Sequence, residues 1–227
     1  MEDRPQGGAG GVPLHHEDEG PETRIGSPGP AGAEGSDRSD GAPLAGRRVA
    51  FLVAPEGAEQ DELTKPWEAV REAGGSPVLV STKAGKVRAR HHLDEGDEFP
   101  VNAVVADVSA ADYDALVLPG GVANPDFLRM DPRAVEFVSS FFSRSKPVAV
   151  ICHGPWTLVE AGVLRGRTLT SWPSLRTDLT NAGAHWVDSE VEIDRSGPNV
   201  LVSSRKPDDL PAFNRALVEQ FAGADRS

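Results

Sequence analysis

The 227-residue chain contains a single cysteine, which excludes an intramolecular disulfide. A lone thiol is typical of proteins that stay in a reducing compartment. No apolar run approaches the roughly 20 residues that a membrane-spanning helix needs. The first residues also lack the basic start and apolar stretch of a secretory signal. These absences predict a cytoplasmic protein that has no membrane partner.

Basic residues are also scarce. The chain has 23 Lys and Arg against 35 Asp and Glu, and its formal net charge is −12. Nucleic-acid-binding proteins usually present a basic stripe to the phosphates, and nothing in this sequence provides one. We therefore expect no specific nucleic-acid partner.

Apolar side chains are rare at the start of the chain. Residues 1–46 contain 17 Gly or Pro but only four of Val, Ile, Leu or Phe. Nine acids and three Arg place half of the net charge there. Such a segment cannot bury enough apolar surface to offset its ordering entropy. We predict a disordered acidic tail over residues 1–46 and a folded domain over residues 47–223.

Beyond the tail, short apolar runs alternate with stretches of helical periodicity. The predicted strands are 49–54, 77–81, 114–118 and 147–151, with others near 168, 186–193 and 199–202 and short hairpin strands within 85–106. The predicted helices are 62–73, 132–143, 155–161 and 208–221. Buried strands that alternate with amphipathic helices indicate an α/β fold, with a mostly parallel sheet covered on both faces.

The cysteine directly follows the buried strand 147–151, and a helix begins at Pro155. A sharp turn from a strand into a helix is a nucleophile elbow, which lifts a side chain above the carboxyl edge of the sheet. Ligands bind at this edge in open α/β sheets, and the helix N-terminus favours a thiolate. A free cysteine is more commonly a small buried hydrophobe. The strand-Cys-His-Gly-Pro context favours Cys152 as a nucleophile.

Two neighbouring features fit this interpretation. His153 can serve as a base if a third group orients its imidazole. Pro119-Gly120-Gly121 ends the preceding strand, and its glycines allow backbone N–H groups to approach a ligand. Together with the N–H of His153 they predict an oxyanion hole. An ordinary Gly-Gly turn is the alternative.

Motifs along most of the folded part resemble the PfpI family, within the superfamily of the parkinsonism-associated deglycase. The stretches that carry this resemblance include DELTKP at 61–66, YDALVLPGG at 113–121, the Cys152 turn and SSRKPDDL at 203–210. The resemblance implies a flavodoxin-like sandwich, class I glutamine amidotransferase-like in architecture.

The resemblance also implies the roles of the site residues. Cys152 is the nucleophile, Glu62 sits against its sulfur, and His153 lies beside it. An acid from a neighbouring subunit orients His153, and Asp126 matches that acid here. A homo-oligomer, a dimer or larger, is therefore implied. The chemistry of a thiol nucleophile needs no metal or organic cofactor.

Three functions remain open from the sequence. The leading hypothesis is a glyoxalase or deglycase, in which Cys152 attacks reactive aldehydes such as methylglyoxal or their glycation adducts on proteins. An intracellular cysteine peptidase is the second, and a non-enzymatic redox sensor or holdase is the third. Glutamine amidotransferase activity is excluded because it needs a downstream His-x-Glu. The downstream histidine His185 is followed by Trp186-Val187 instead.

Overall fold

A computed structural model describes residues 41–224 of the chain. The strands are β1 (Arg48–Val53), β2 (Glu56–Glu59), β3 (Ser76–Ser81), β4 (Lys86–His91), β5 (Asp94–Pro100), β6 (Ala103–Val104), β7 (Ala115–Leu118), β8 (Val148–Ile151), β9 (Thr168–Leu169), β10 (His185–Trp186), β11 (Val191–Asp194) and β12 (Leu201–Ser204). The helices are α1 (Gln60–Glu72), α2 (Ala123–Arg129), α3 (Pro132–Ser143), α4 (Pro155–Glu160), α5 (Arg176–Asn181) and α6 (Leu210–Ala222).

Seven strands form the central sheet in the order β11-β12-β8-β7-β1-β3-β6. Neighbours pair in parallel except at one edge, where β11 is antiparallel to β12. Parallel neighbours require crossover connections, and helices supply most of them here. The predicted α/β fold with a mostly parallel sheet is confirmed. Two smaller sheets flank it: β2-β4-β5, which contains the antiparallel β4–β5 hairpin, and β9-β10.

The core lies on both faces of the central sheet because successive residues of a strand point in opposite directions. In β1, Phe51 belongs to the apolar cluster under α1 and α6. Its neighbour Leu52 belongs to the cluster under α3 and α4. Both side chains are fully buried. Burial on both faces explains why β1, β7 and β8 consist of continuous apolar runs rather than alternating ones.

The strongest predicted elements are confirmed to within one residue. Strands 49–54, 77–81, 114–118 and 147–151 correspond to β1, β3, β7 and β8, and helix 132–143 is α3. Asp131 caps this helix, accepting hydrogen bonds from the N–H groups of Arg133 and Ala134, and Pro132 occupies its first turn. The predicted strand 186–193 is instead two short strands, β10 and β11.

Two elements, β2 and α2, were not predicted. The sequence of β2, Glu-Gly-Ala-Glu, has no apolar pattern, and the strand exists because it pairs with β4. The sequence of α2 contains Asn124 and Pro125, which are residues typical of turns. Within residues 41–224, every helix is too short or too polar to cross a bilayer.

The predicted boundary of the tail lies inside a packed segment. Leu44 is fully buried in the cluster under α1 and α6. Its backbone N–H donates to the carbonyl oxygen of Ala73 at 2.8 Å. The described residues before Arg47 therefore pack on the domain, whereas residues 1–40 lie outside the described residues. Disorder of residues 1–40 stays a prediction.

Two deletions test this division. Deleting residues 1–40 should leave the midpoint of thermal unfolding unchanged, whereas deleting residues 1–46 should lower it because Leu44 is lost. In the full chain, Leu44→Ala should reduce the free energy of unfolding by about 2–5 kcal/mol in urea titrations. Leu93→Ala is the control, since Leu93 is 92% exposed. A loss of several degrees on deleting residues 1–40 would show that those residues pack as well.

Candidate active site

Cys152 occupies the turn between β8 and α4 in a left-handed backbone conformation, with φ of +61°. This conformation costs a non-glycine residue on the order of 1–3 kcal/mol and is found mainly at functional sites. Two backbone hydrogen bonds hold the turn in place. The N–H of Cys152 donates to the carbonyl oxygen of Ser204 at 3.1 Å, and the carbonyl oxygen of Cys152 accepts from the N–H of Trp172 at 2.9 Å. The predicted strand-to-helix elbow is therefore present.

The loop after β7 approaches the cysteine so closely that it requires glycine. A Cβ atom on Gly120 would lie 2.6 Å from Cβ of Cys152 and 2.5 Å from Oε2 of Glu62. Real Cβ atoms do not tolerate such contacts, so any other residue would push the loop away. Gly121 has a φ of +79°, which also favours glycine.

Glu62 is fully buried in the first turn of α1. Its Oε2 accepts a hydrogen bond from the N–H of Gly120 at 2.9 Å, and its carboxyl group also interacts with Cys152. Burial raises the pKa of Glu62 to about 8, although the bond from Gly120 opposes this rise. Glu62 is therefore a neutral carboxylic acid at neutral pH and can donate its hydrogen.

Opposing influences act on the thiol of Cys152. Burial raises its pKa, and a carboxylate at Glu62 would raise it further. The backbone N–H groups of Gly121 and His153 point at the sulfur and lower the pKa. The prediction that the helix N-terminus favours a thiolate is thus incomplete, because burial of the thiol favours its protonated form. A thiolate here needs a proton acceptor and a neutral Glu62.

His153 is placed where it can accept that proton. Its Nδ1 lies 3.2 Å from Sγ of Cys152. Burial lowers the pKa of His153, so its imidazole is neutral at neutral pH and can take a proton. The other ring nitrogen, Nε2, lies 3.4 Å from Oγ of Ser174. The indole of Trp172 stacks on the ring at 5.9 Å, and that of Trp156 packs edge-on at 5.2 Å.

The fold brings together most of the residues named from the sequence. These residues are Glu62, Gly120, Gly121, Cys152 and His153. The N–H of Gly120 donates to the carboxyl group of Glu62. The N–H groups of Gly121 and His153 face the sulfur instead. An oxyanion hole formed by these backbone groups stays a prediction.

Asp126 lies elsewhere in the chain. It is exposed on α2, and none of the contacts found among residues 41–224 joins it to His153. A role for Asp126 from a second chain stays a prediction.

Sequence reasoning missed Asn124, which fixes the glycine loop. Its Oδ1 accepts from the N–H of Ala54 at 2.7 Å. Its Nδ2 donates to the carbonyls of Pro119 and Gly120 at 2.9 and 3.1 Å. The amide thereby ties the ends of β1 and β7 together beneath the site. A buried amide followed by proline gives no distinguishing signal in a single sequence.

The protonation of Glu62 makes stability depend on pH. In the unfolded chain its pKa is about 4.5, whereas in the folded chain it is about 8. Between these values only the unfolded state releases the proton, so stability falls as pH rises, by up to about 1.4 kcal/mol per pH unit. Glu62→Gln removes this loss. Its free energy of unfolding relative to the wild type should rise from pH 5 to pH 8 and then level off.

Urea titrations at pH 5, 6, 7, 8 and 9 measure this difference. Glu68→Gln is the matched control because Glu68 lies on the same helix, α1, but is exposed. Its difference from the wild type should not follow pH in this way. A flat difference for Glu62→Gln would mean that Glu62 is ionised in the folded protein.

Comparisons with known proteins identify the family of this chain. The profile of the DJ-1/PfpI family matches residues 47–220. Protein/nucleic acid deglycase 2 of Escherichia coli is 42% identical over 169 residues, which are 74% of this chain and 94% of that protein. Deglycase PfpI of Pyrococcus furiosus is 40% identical over 172 residues, 76% of this chain and 98% of that one. The crystal structure of Drosophila melanogaster DJ-1beta superposes with a TM-score of 0.68 at 27% identity, covering 78% of this chain and 91% of that one. The resemblance predicted from the motifs is confirmed, and the chain belongs to the DJ-1/PfpI family.

Proposed function

We propose that the protein is a cysteine-dependent enzyme that removes reactive carbonyl compounds or repairs the groups they have glycated. The observation that carries this proposal is the 3.2 Å contact between Sγ of Cys152 and Nδ1 of a neutral His153, beside a protonated Glu62. The names of the bacterial and archaeal relatives as deglycases support it.

The first step is addition of sulfur to an aldehyde carbon. Nδ1 of His153 takes the thiol proton of Cys152, and the sulfur then forms a C–S bond to the substrate. The former carbonyl oxygen takes up a proton from Glu62 or from the imidazolium. With a glycated amine, the sulfur displaces the amine from the hemiaminal carbon, and the amine leaves with a proton. Both substrates give the same hemithioacetal.

The second step converts this adduct to a carboxylic acid. The hydrogen on the sulfur-bearing carbon leaves as a proton and returns to the adjacent carbonyl carbon. The hydroxyl group on the sulfur-bearing carbon loses its proton, and the adjacent carbonyl oxygen gains one, which leaves a thioester on Cys152. Water then hydrolyses the thioester and restores the thiol. For methylglyoxal the product is lactate, and the overall change is the addition of one water. Since no net oxidation occurs, the step requires no external oxidant.

Product analysis tests the proposal. We expect lactate from methylglyoxal without glutathione, and free amine from a glycated peptide, both abolished by Cys152→Ala. Casein is incubated in parallel. Cleavage of casein without lactate would indicate a peptidase instead. Absence of any product, together with oxidation of Cys152 by peroxide, would indicate a redox sensor.

The base is tested separately. His153→Asn should lower kcat by roughly 10²- to 10⁴-fold, the range typical of a lost general base. His185→Asn is the matched control because His185 is exposed on β10. Equal activity of the two variants would remove His153 from the mechanism.

We further propose that the protein is a homo-oligomer in which Asp126 of one copy faces His153 of another. Asp126 lies on α2 among exposed apolar side chains, since Val122, Phe127 and Met130 are 58%, 44% and 74% exposed. A second copy would cover this apolar surface. A nearby carboxylate would stabilise the imidazolium that forms during the reaction.

Mixing two impaired chains tests this arrangement. Cys152→Ala and Asp126→Asn chains, unfolded and refolded together, should exceed the activity of the Asp126→Asn protein alone. Hybrid sites would then combine an intact cysteine with an intact acid. A fully active monomer in light scattering would disprove the shared site.

A further inference from the structure

The segment that carries Ser174 is fixed against the cysteine turn. Ser174 lies in a short 3₁₀ turn, Pro173–Leu175. Just before it, the N–H of Trp172 donates to the carbonyl of Cys152 at 2.9 Å. The residue after Ser174, Leu175, is fully buried in the core. A backbone bond and an apolar anchor therefore hold Ser174 at a set distance from the active site.

Its hydroxyl faces the imidazole nitrogen that points away from the sulfur. Oγ of Ser174 lies 3.4 Å from Nε2 of His153, while Nδ1 of the same ring lies 3.2 Å from Sγ of Cys152. A neutral imidazole carries hydrogen on one nitrogen only. If Nδ1 is to accept the thiol proton, the hydrogen must be on Nε2, where a hydroxyl oxygen can accept it.

The ring is also restrained on its faces. Trp172 stacks on His153 with an interplanar angle of 24°, and Trp156 packs against it edge-on. Two charged groups contact Trp156. The carboxyl group of Asp178 accepts a 2.7 Å hydrogen bond from the indole N–H, and the guanidinium of Arg129 lies over the ring, 5.9 Å from its centroid. Neither of these two charged groups contacts the imidazole in the described part of the chain.

We propose that Ser174 is a positioning residue, whose hydroxyl accepts a hydrogen bond from Nε2–H of His153 and so keeps Nδ1 free to take the proton of Cys152. When that proton moves, the S–H bond breaks, an N–H bond forms at Nδ1, and Nε2–H still donates to Ser174. The hydroxyl keeps its own hydrogen, which is available to an acid such as Asp126 of a second copy. The proposal rests on the proposed role of His153 as the base.

The test uses iodoacetamide alkylation of Cys152 in the full-length protein between pH 6 and pH 9. Ser174→Ala should slow alkylation roughly threefold to tenfold at neutral pH, the value of one hydrogen bond. The comparison is made below pH 8, where Glu62 is protonated, because an ionised Glu62 would itself oppose the thiolate. Ser174→Thr should restore the rate to within twofold. Ser143→Ala is the control, since that exposed hydroxyl bonds to the carbonyl of Ser140 on α3.

A proton NMR titration gives a second measurement on the same proteins and also reports whether they fold. Loss of the acceptor destabilises the imidazolium, so Ser174→Ala should lower the pKa of His153 further and Ser174→Thr should restore it. An alkylation rate equal to that of the wild type, an unchanged pKa of His153 in Ser174→Ala, or a failure of threonine to rescue would each overturn the proposal. Alkylation needs no substrate. If the variants behave as expected but the wild-type protein turns over no substrate, the proposed enzyme activity is contradicted and the proposed role of Ser174 is not.

Discussion

The carboxyl group of Glu62 lies fully buried between the backbone of Gly120 and the sulfur of Cys152. A carboxylate in this position would repel a thiolate across a short distance in a poorly solvated site. A carboxylic acid can instead donate its hydrogen to the same sulfur. Burial decides between the two, because it makes the charged form of Glu62 costly at neutral pH. The reactivity of Cys152 therefore depends on keeping water away from one carboxyl group.

The fold builds this desolvated site from segments far apart in the chain. Strands β7 and β8 are parallel neighbours, so their carboxyl ends place Gly120 and Cys152 side by side. Helix α1 begins near the same edge and inserts Glu62 from beneath. The three can meet only because Gly120 has no Cβ and because Asn124 holds the loop after β7 against the end of β1. A small outward shift of this loop would admit water and ionise Glu62.

Much of the fold and part of the site could be predicted from the sequence, for identifiable reasons. Strands β1 and β8 carry their signal locally, as apolar runs bounded by turn residues. The cysteine turn is likewise local, since strand, cysteine and helix are contiguous. In contrast, β2 depends on pairing with β4, and its own sequence is polar. Asn124 and Ser174 act through contacts with residues distant in the chain, so only the tertiary structure shows them.

Burial acts in opposite directions on the two proton-carrying side chains beside Cys152. It raises the pKa of Glu62, whose neutral form is protonated, and lowers the pKa of His153, whose neutral form is unprotonated. One desolvated site thus produces a proton donor and a proton acceptor at the same pH, both without charge. In the proposed mechanism, charge appears only when the thiol proton crosses to Nδ1, and the thiolate and imidazolium then form as an adjacent pair. Because each member of this pair stabilises the other, removing the hydroxyl of Ser174 that faces Nε2 should weaken the thiolate.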